Sequence, residues 1–219
     1  MAESDAELAA CRPARLDTGR FNATAVIPYG CRVAHICAAM NDFLDFLGFI
    51  NQQLNTKGIP RLESFLMPAN FSSIVGEFMS ASIPKHCPTL AKNRYHNGHP
   101  DLLPKGMYPG DSQLHAPEGI EIKGSRYLSG WQGHNAEDVW LMVFVFDANR
   151  VTDVNRGLPP RPFRFLKVVG AKLSVDDWQF SGRSETSRRT ITASVKPSGF
   201  AKMEANWIYR AADSGAAEA

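Results

Sequence analysis

The sequence predicts an α/β core that ends in a β-rich extension. Three features carry that expectation. An apolar stripe of helical period runs from Val33 to Leu54, an unbroken apolar run spans Val139 to Phe146, and short strand-like segments follow residue 162. Helices come first, a buried sheet lies in the middle, and the end is β-rich. No linker-like stretch divides the 219 residues, so one domain over 1–219 is expected.

Residues 1–20 are rich in Ala, Glu, Asp and Arg with little periodicity and read as a loose N-terminal tail or a short helix. Residues 21–147 then hold the helices and the core. Val33, Ile36, Cys37, Met40, Phe43, Leu44, Leu47, Ile50 and Leu54 form one helical stripe, which Phe46 and Phe49 widen. Gly58 suits the residue after a helix end and Pro60 blocks continuation, so this helix should end near Thr56. A second helix is expected from Ser72 to Ser82. Asn70 or Ser72 would cap it, and Pro84 and Pro88 would end it. Residues 93–117 read as turns and loop.

A strand is expected from Gly119 to Lys123, and another over the run VWLMVFVF from Val139 to Phe146. An uninterrupted apolar run fits a strand covered on both faces. Residues 148–162 read as loop. Further strands are expected at Phe163–Leu173, Thr190–Lys196 and Ala205–Tyr209, with Ser181–Arg189 as a polar loop. The final residues 211–219 read as a frayed tail.

Composition excludes several classes. With 44% hydrophobic and 21% charged residues, disordered, collagen-like and coiled-coil chains fall away. No run of about 18 apolar residues suggests a membrane span. The first twenty residues carry four acids and no apolar signal-peptide segment. The expectation is a soluble, cytoplasmic protein without a membrane partner. Its four cysteines form no CxxC pair and read as reduced thiols. Cys31, His35 and Cys37 lie close together, but their spacing fits no common zinc finger. They read as buried cysteines and a helix histidine.

Charge is unevenly distributed. Residues 1–149 hold 12 Lys/Arg against 15 Asp/Glu, whereas residues 150–210 hold 12 against 5, a net +7. A basic, β-rich part over 148–210 suits a polyanionic partner, although a merely solvated basic surface has the same count.

The chemistry concentrates in residues 94–126, RYHNGHPDLLPKGMYPGDSQLHAPEGIEIKGSR. Residues two apart on a strand share a face, so Glu121 and Lys123 project side by side while Ile122 packs behind them. Asp101 can bring a second carboxylate to Glu121. Two carboxylates and the Ile122 backbone carbonyl make a hard oxygen site suited to Mg²⁺. Lys123 beside it can orient a water or stabilise charge on a phosphate. A plain Glu121–Lys123 surface ion pair is the bland alternative. Asp111 rivals Asp101, but Gly110-Asp111 is a turn signal. His96, His99, His115 and His134 crowd the region and suit phosphate contacts, a polar cleft or a transition metal.

Pro100-Asp101 followed by Glu121-Ile122-Lys123 resembles the signature of the PD-(D/E)XK nuclease superfamily, which includes many type II restriction endonucleases. The resemblance covers about 25 residues closely, and residues 72–146 with the flanking helix and strand. It implies a restriction endonuclease-like core, a mixed central sheet flanked by helices, ahead of the β-rich C-terminal extension. It also implies Mg²⁺-dependent cleavage of double-stranded DNA in a prokaryotic cytoplasm. Asp101 and Glu121 match the metal carboxylates and Lys123 the catalytic lysine. Glu77, on the preceding helix, matches the extra acid of some members. A homodimer and a cognate DNA methyltransferase are implied as partners. Gln132, His134 and Asn135, in an expected rim loop, and Arg183, Arg188 and Arg189, in the polar loop, are the candidate DNA contacts. A repair, phage or transposition nuclease, or a non-cutting DNA-binding module, is the alternative.

Overall fold

The computed structural model describes residues 2–133, 135–180 and 193–212, with side chains from Asp5 onward. The helices are α1 (Ala2–Ala10), α2 (Val33–Asn55), α3 (Leu62–Phe65), α4 (Pro68–His86), α5 (Val151–Asn155) and α6 (Pro197–Ala205). The strands are β1 (Leu90–Lys92), β2 (Leu102–Pro104), β3 (Ile120–Ser125), β4 (Gln132–Gly133), β5 (Val139–Asp147), β6 (Arg164–Leu173), β7 (Trp178–Phe180), β8 (Ala193–Val195) and β9 (Trp207–Arg210).

Six strands form a mixed sheet in the order β1-β2-β3-β5-β6-β9. Only β3 and β5 run parallel; the other neighbours are antiparallel. A parallel pair needs a crossover rather than a tight hairpin. Here residues 126–138, including β4, make that crossover. Strands β4, β8 and β7 form a second, three-stranded antiparallel sheet.

The apolar run of β5 is buried on both faces. Trp140, Met142, Phe144 and Phe146 face a core shared with α2 and α4, where Phe43, Phe71, Phe163 and Phe165 pack with tilted or edge contacts. Val139, Leu141, Val143 and Val145 face a second core with Trp131, Trp178, Val195 and Met203. The mixed sheet is therefore flanked by α2 and α4 on one face and by α6 and the small sheet on the other. By length and composition α2 could span a membrane. Its apolar stripe is instead used in the core, where Ile36, Met40, Phe43 and Leu47 are fully buried.

Several elements differ from the sequence expectation. Of the two readings of the N-terminal stretch, the short helix holds and the loose tail does not: α1 docks through Glu7, whose carboxylate accepts from the buried Arg61 Nε at 2.9 Å. Helix α4 starts earlier, with Pro68 in its first turn, where the missing N–H costs nothing. Pro84 sits in its last turn instead of ending it, and Cys87 N still donates to the Ile83 carbonyl at 2.9 Å. The 148–162 loop contains α5, and α6 fills the stretch between the two last expected strands, taking Ala205 from the second. The GWQGHN segment holds a short strand, Gln132–Gly133, that pairs with β8. The extension is not a separate layer, because β6 and β9 complete the main sheet.

Candidate active site

The site forms where β2 and β3 part. Their register contains the single pair Leu102–Ile120. Continuing that antiparallel register places Asp101 opposite Glu121, so both carboxylates reach the same spot. The Ile122 N–H donates to Asp101 Oδ2 at 2.8 Å in place of a strand partner. In a strand, the carbonyl of a residue points to the same edge as its N–H, so the Ile122 carbonyl also faces this opening.

Glu121 is almost buried, and both of its oxygens are engaged. Oε1 accepts from Lys123 Nζ at 2.6 Å, and Oε2 lies 2.9 Å from His99 Nδ1. The other ring nitrogen of His99 lies 2.8 Å from Glu137 Oε2. A polar chain thus runs from Lys123 through Glu121 and His99 to Glu137. The His99 backbone is held by hydrogen bonds to Leu114 and from Ala116. The buried Asn93 side chain organises the loop by donating to the carbonyls of Pro100 and Gln113 and accepting from the N–H groups of Tyr95 and Gln113.

Electrostatics separate the two carboxylates. Burial and the Glu121 charge push the Asp101 carboxyl well above the usual range, against the pull of the Ile122 N–H and Lys123. Burial alone would raise Glu121 too, but its bonds to His99 and Lys123 outweigh that and hold it below the usual range. Burial disfavours the His99 cation, yet the two flanking carboxylates raise it to about 10. Lys123 is likewise raised, because the Glu121 and Asp101 charges outweigh its desolvation.

These groups line an open cleft of about 790 Å³. Helix α4 forms one wall at Ser72, Gly76 and Glu77, and residues 92–99 supply the other. Close approach of α4 depends on Gly124. A Cβ there would lie 2.4 Å from the Ser72 carbonyl oxygen and 2.8 Å from Val75 Cβ.

Asp101, Glu121, Ile122 and Lys123 are thus brought together. Glu77 lines the cleft but is exposed at its rim, where it accepts from Lys92 Nζ at 2.7 Å. It is not joined to the two carboxylates. Asp111 lies in a surface turn at φ 52° and accepts from the Gly106 N–H, so it does not replace Asp101. His96 lines the cleft; Gln132 and Asn135 are exposed and do not. His134, Arg183, Arg188 and Arg189 lie outside the described residues. Sequence reasoning missed Glu137 and the bridging role of His99. The only local signal was an acid just before a buried strand.

Two carboxylates and a strand carbonyl are a hard oxygen donor set. The raised Asp101 marks negative charge without full compensation, and a cation fits that spot. Each carboxylate oxygen keeps a second lone pair beyond its present hydrogen bond. Comparison of the chain with protein-family models, with curated proteins and with solved structures gives no match.

Proposed function

We propose that the protein is a Mg²⁺-dependent endonuclease that hydrolyses phosphodiester bonds in double-stranded DNA at specific sites, in the manner of a restriction enzyme. One observation carries this reading: Asp101, Glu121 and Lys123 converge at the open edge of β3 on the floor of a single cleft. The order of elements around them, an acid at the start of one strand and an acid–lysine pair on the next, supports a PD-(D/E)XK-like core.

Asp101, Glu121 and the Ile122 carbonyl would hold the cation. When bound, Mg²⁺ supplies polarisation of a phosphoryl oxygen and activation of water. Lys123 stays an ammonium, so it does not take a proton. It orients the attacking water and offsets charge building on the phosphate oxygens. His99, kept charged between two carboxylates, fixes the Glu121 carboxylate. Glu137 fixes His99 in turn, which makes both positioning residues.

Double-strand cleavage at a symmetric site suits a homodimer, and a methyltransferase protecting the same site would be its partner. The test is a digest of mixed plasmid and phage DNA with Mg²⁺ or EDTA. Discrete fragments formed only with Mg²⁺ support a site-specific endonuclease. Cleavage that follows DNA structure rather than sequence would favour a repair, phage or transposition nuclease. Salt-sensitive binding without cleavage would favour a non-cutting DNA-binding module.

A further inference from the structure

We propose that Cys31, His35 and Cys87 form a Zn²⁺ site, remote in chemistry from the nuclease cleft and independent of that reading. Their ligand atoms all lie within 4.8 Å of one another, and all three residues are buried. The sequence places them on three different pieces of structure. Cys31 follows a tight turn in which Tyr29 and Gly30 have φ of 59° and 71°. His35 stands in the first turn of α2, and Cys87 caps the end of α4. The turn is tied to the chain just past Cys87, because Thr89 Oγ1 donates to the Tyr29 carbonyl at 2.6 Å.

The donor set selects the metal. Two sulfurs and one imidazole are soft and borderline ligands, which favour zinc over the hard cations suited to the cleft. The protonation states agree with the geometry. Burial, and then the neighbouring Cys87, push the Cys31 thiol up, while burial and Arg32 push His35 down. Without metal Cys31 is therefore favoured as a thiol and His35 as a neutral ring. On binding, each thiol releases its proton to solvent and its sulfur donates to the ion.

His35 gives up one contact. Its Nδ1 accepts from the Arg32 N–H at 3.1 Å, and its Nε2 lies 3.1 Å from Arg32 Nη2. One ring nitrogen turns from Arg32, whose side chain is exposed, to the ion. Three protein ligands leave the fourth tetrahedral position to water. Such an ion would staple the start of α2 to the end of α4, immediately before β1 and the loop that carries Asn93 and Asp101. The other two cysteines lie apart. Cys37 is contacted by Asn41 on its own helix, and Cys11 Sγ faces the Asn51 carbonyl.

The test uses the full chain purified without chelator under reducing conditions. Metal content is measured by mass spectrometry, and the site is then reloaded with Co²⁺. One equivalent of zinc is expected. The cobalt form should show thiolate-to-metal charge transfer and the visible bands of tetrahedral coordination. Cys31→Ser and Cys87→Ser should each weaken binding at least ~10-fold, while Cys37→Ser and Cys11→Ser should bind as wild type does. Chelation should lower the Tm of the wild-type protein. A metal-free protein giving no cobalt spectrum would overturn the proposal whether or not the serine variants fold. So would a spectrum that survives the Cys31→Ser/Cys87→Ser double variant, or a Cys31–Cys87 disulfide that takes up no cobalt once reduced.

Discussion

Glu121 sits between two cations, Lys123 on one oxygen and His99 on the other. Under the proposed function, Lys123→Ala removes the group that would offset charge in the transition state. It should lower the cleavage rate by about 10²–10³-fold, the scale of losing one preorganised donor. DNA affinity measured in Ca²⁺ should stay close to that of wild type. Asp177, which does not line the cleft, carries a second test at this scale. Burial would raise its carboxyl, but hydrogen bonds from Lys202, Ser198 and Ser174 overcome this and lower it to about 2. A depressed carboxylate stabilises the fold fully above its unfolded value of about 4 and loses that contribution as pH falls toward 2. Asp177→Asn should therefore lower Tm at pH 7, and the gap to wild type should narrow in acid melts. Glu121 and Lys123 were legible because strand alternation is local, and Asp101 because Pro100-Asp101 completes the signature the segment resembles. Glu137 was not, because its partner His99 comes near it only through folding.

The elements explain why the site has the width it has. Helix α4 lies against β3 with glycine at two facing positions, and the two differ in tolerance. A Cβ at Gly124 would collide with backbone of α4, whereas one at Gly76 would meet Gly124 N at 3.5 Å and the Ile122 carbonyl at 3.7 Å. Gly124→Ala should cost about 1–3 kcal/mol in denaturant melts, as overpacking does. Gly76→Ala should leave stability unchanged or raise it by up to ~1 kcal/mol, since alanine favours helix. Equal losses from both changes would contradict the described packing. The long α2 and the buried β5 were plain in the sequence because their apolar periods are strong. Helix α6 was not. It is short, and its apolar Phe200 and Met203 are too few to mark a period between the flanking strands. Helix α4 extends beyond the expected Ser72–Ser82 at both ends, through Pro68 and past Pro84. Proline is compatible with a first turn, and near a helix end it removes only one hydrogen bond.

At the scale of the molecule, the charge of the C-terminal third needs reinterpretation. Arg161 and Arg164 pair with Asp147, Lys167 and Arg210 with Glu204, and Lys202 with Asp177. Much of the basic count thus stitches the main sheet, α6 and their loops together. The proposed DNA contacts in this part remain Arg183, Arg188 and Arg189, which lie outside the described residues. Replacing all three with Ala should weaken DNA binding and reduce the slope of log affinity against log salt by about 2–3, if each meets a phosphate. An unchanged slope would place the DNA elsewhere on the surface. The order of elements in the sequence predicts an α/β core, and the resemblance implies the mixed sheet flanked by helices, which has α2 and α4 on one face and α6 on the other. Neither predicts the second small sheet, because β4 and β7 are too short to carry a period.

The most direct measurement is single-turnover cleavage of DNA by the wild-type protein and Lys123→Ala, with Mg²⁺ and with EDTA. The account predicts fragments from the wild-type protein only when Mg²⁺ is present, and a rate at least ~10²-fold lower in the variant at matched DNA occupancy. Cleavage of equal rate in both proteins, or none by the wild-type protein on any DNA it binds, would contradict it.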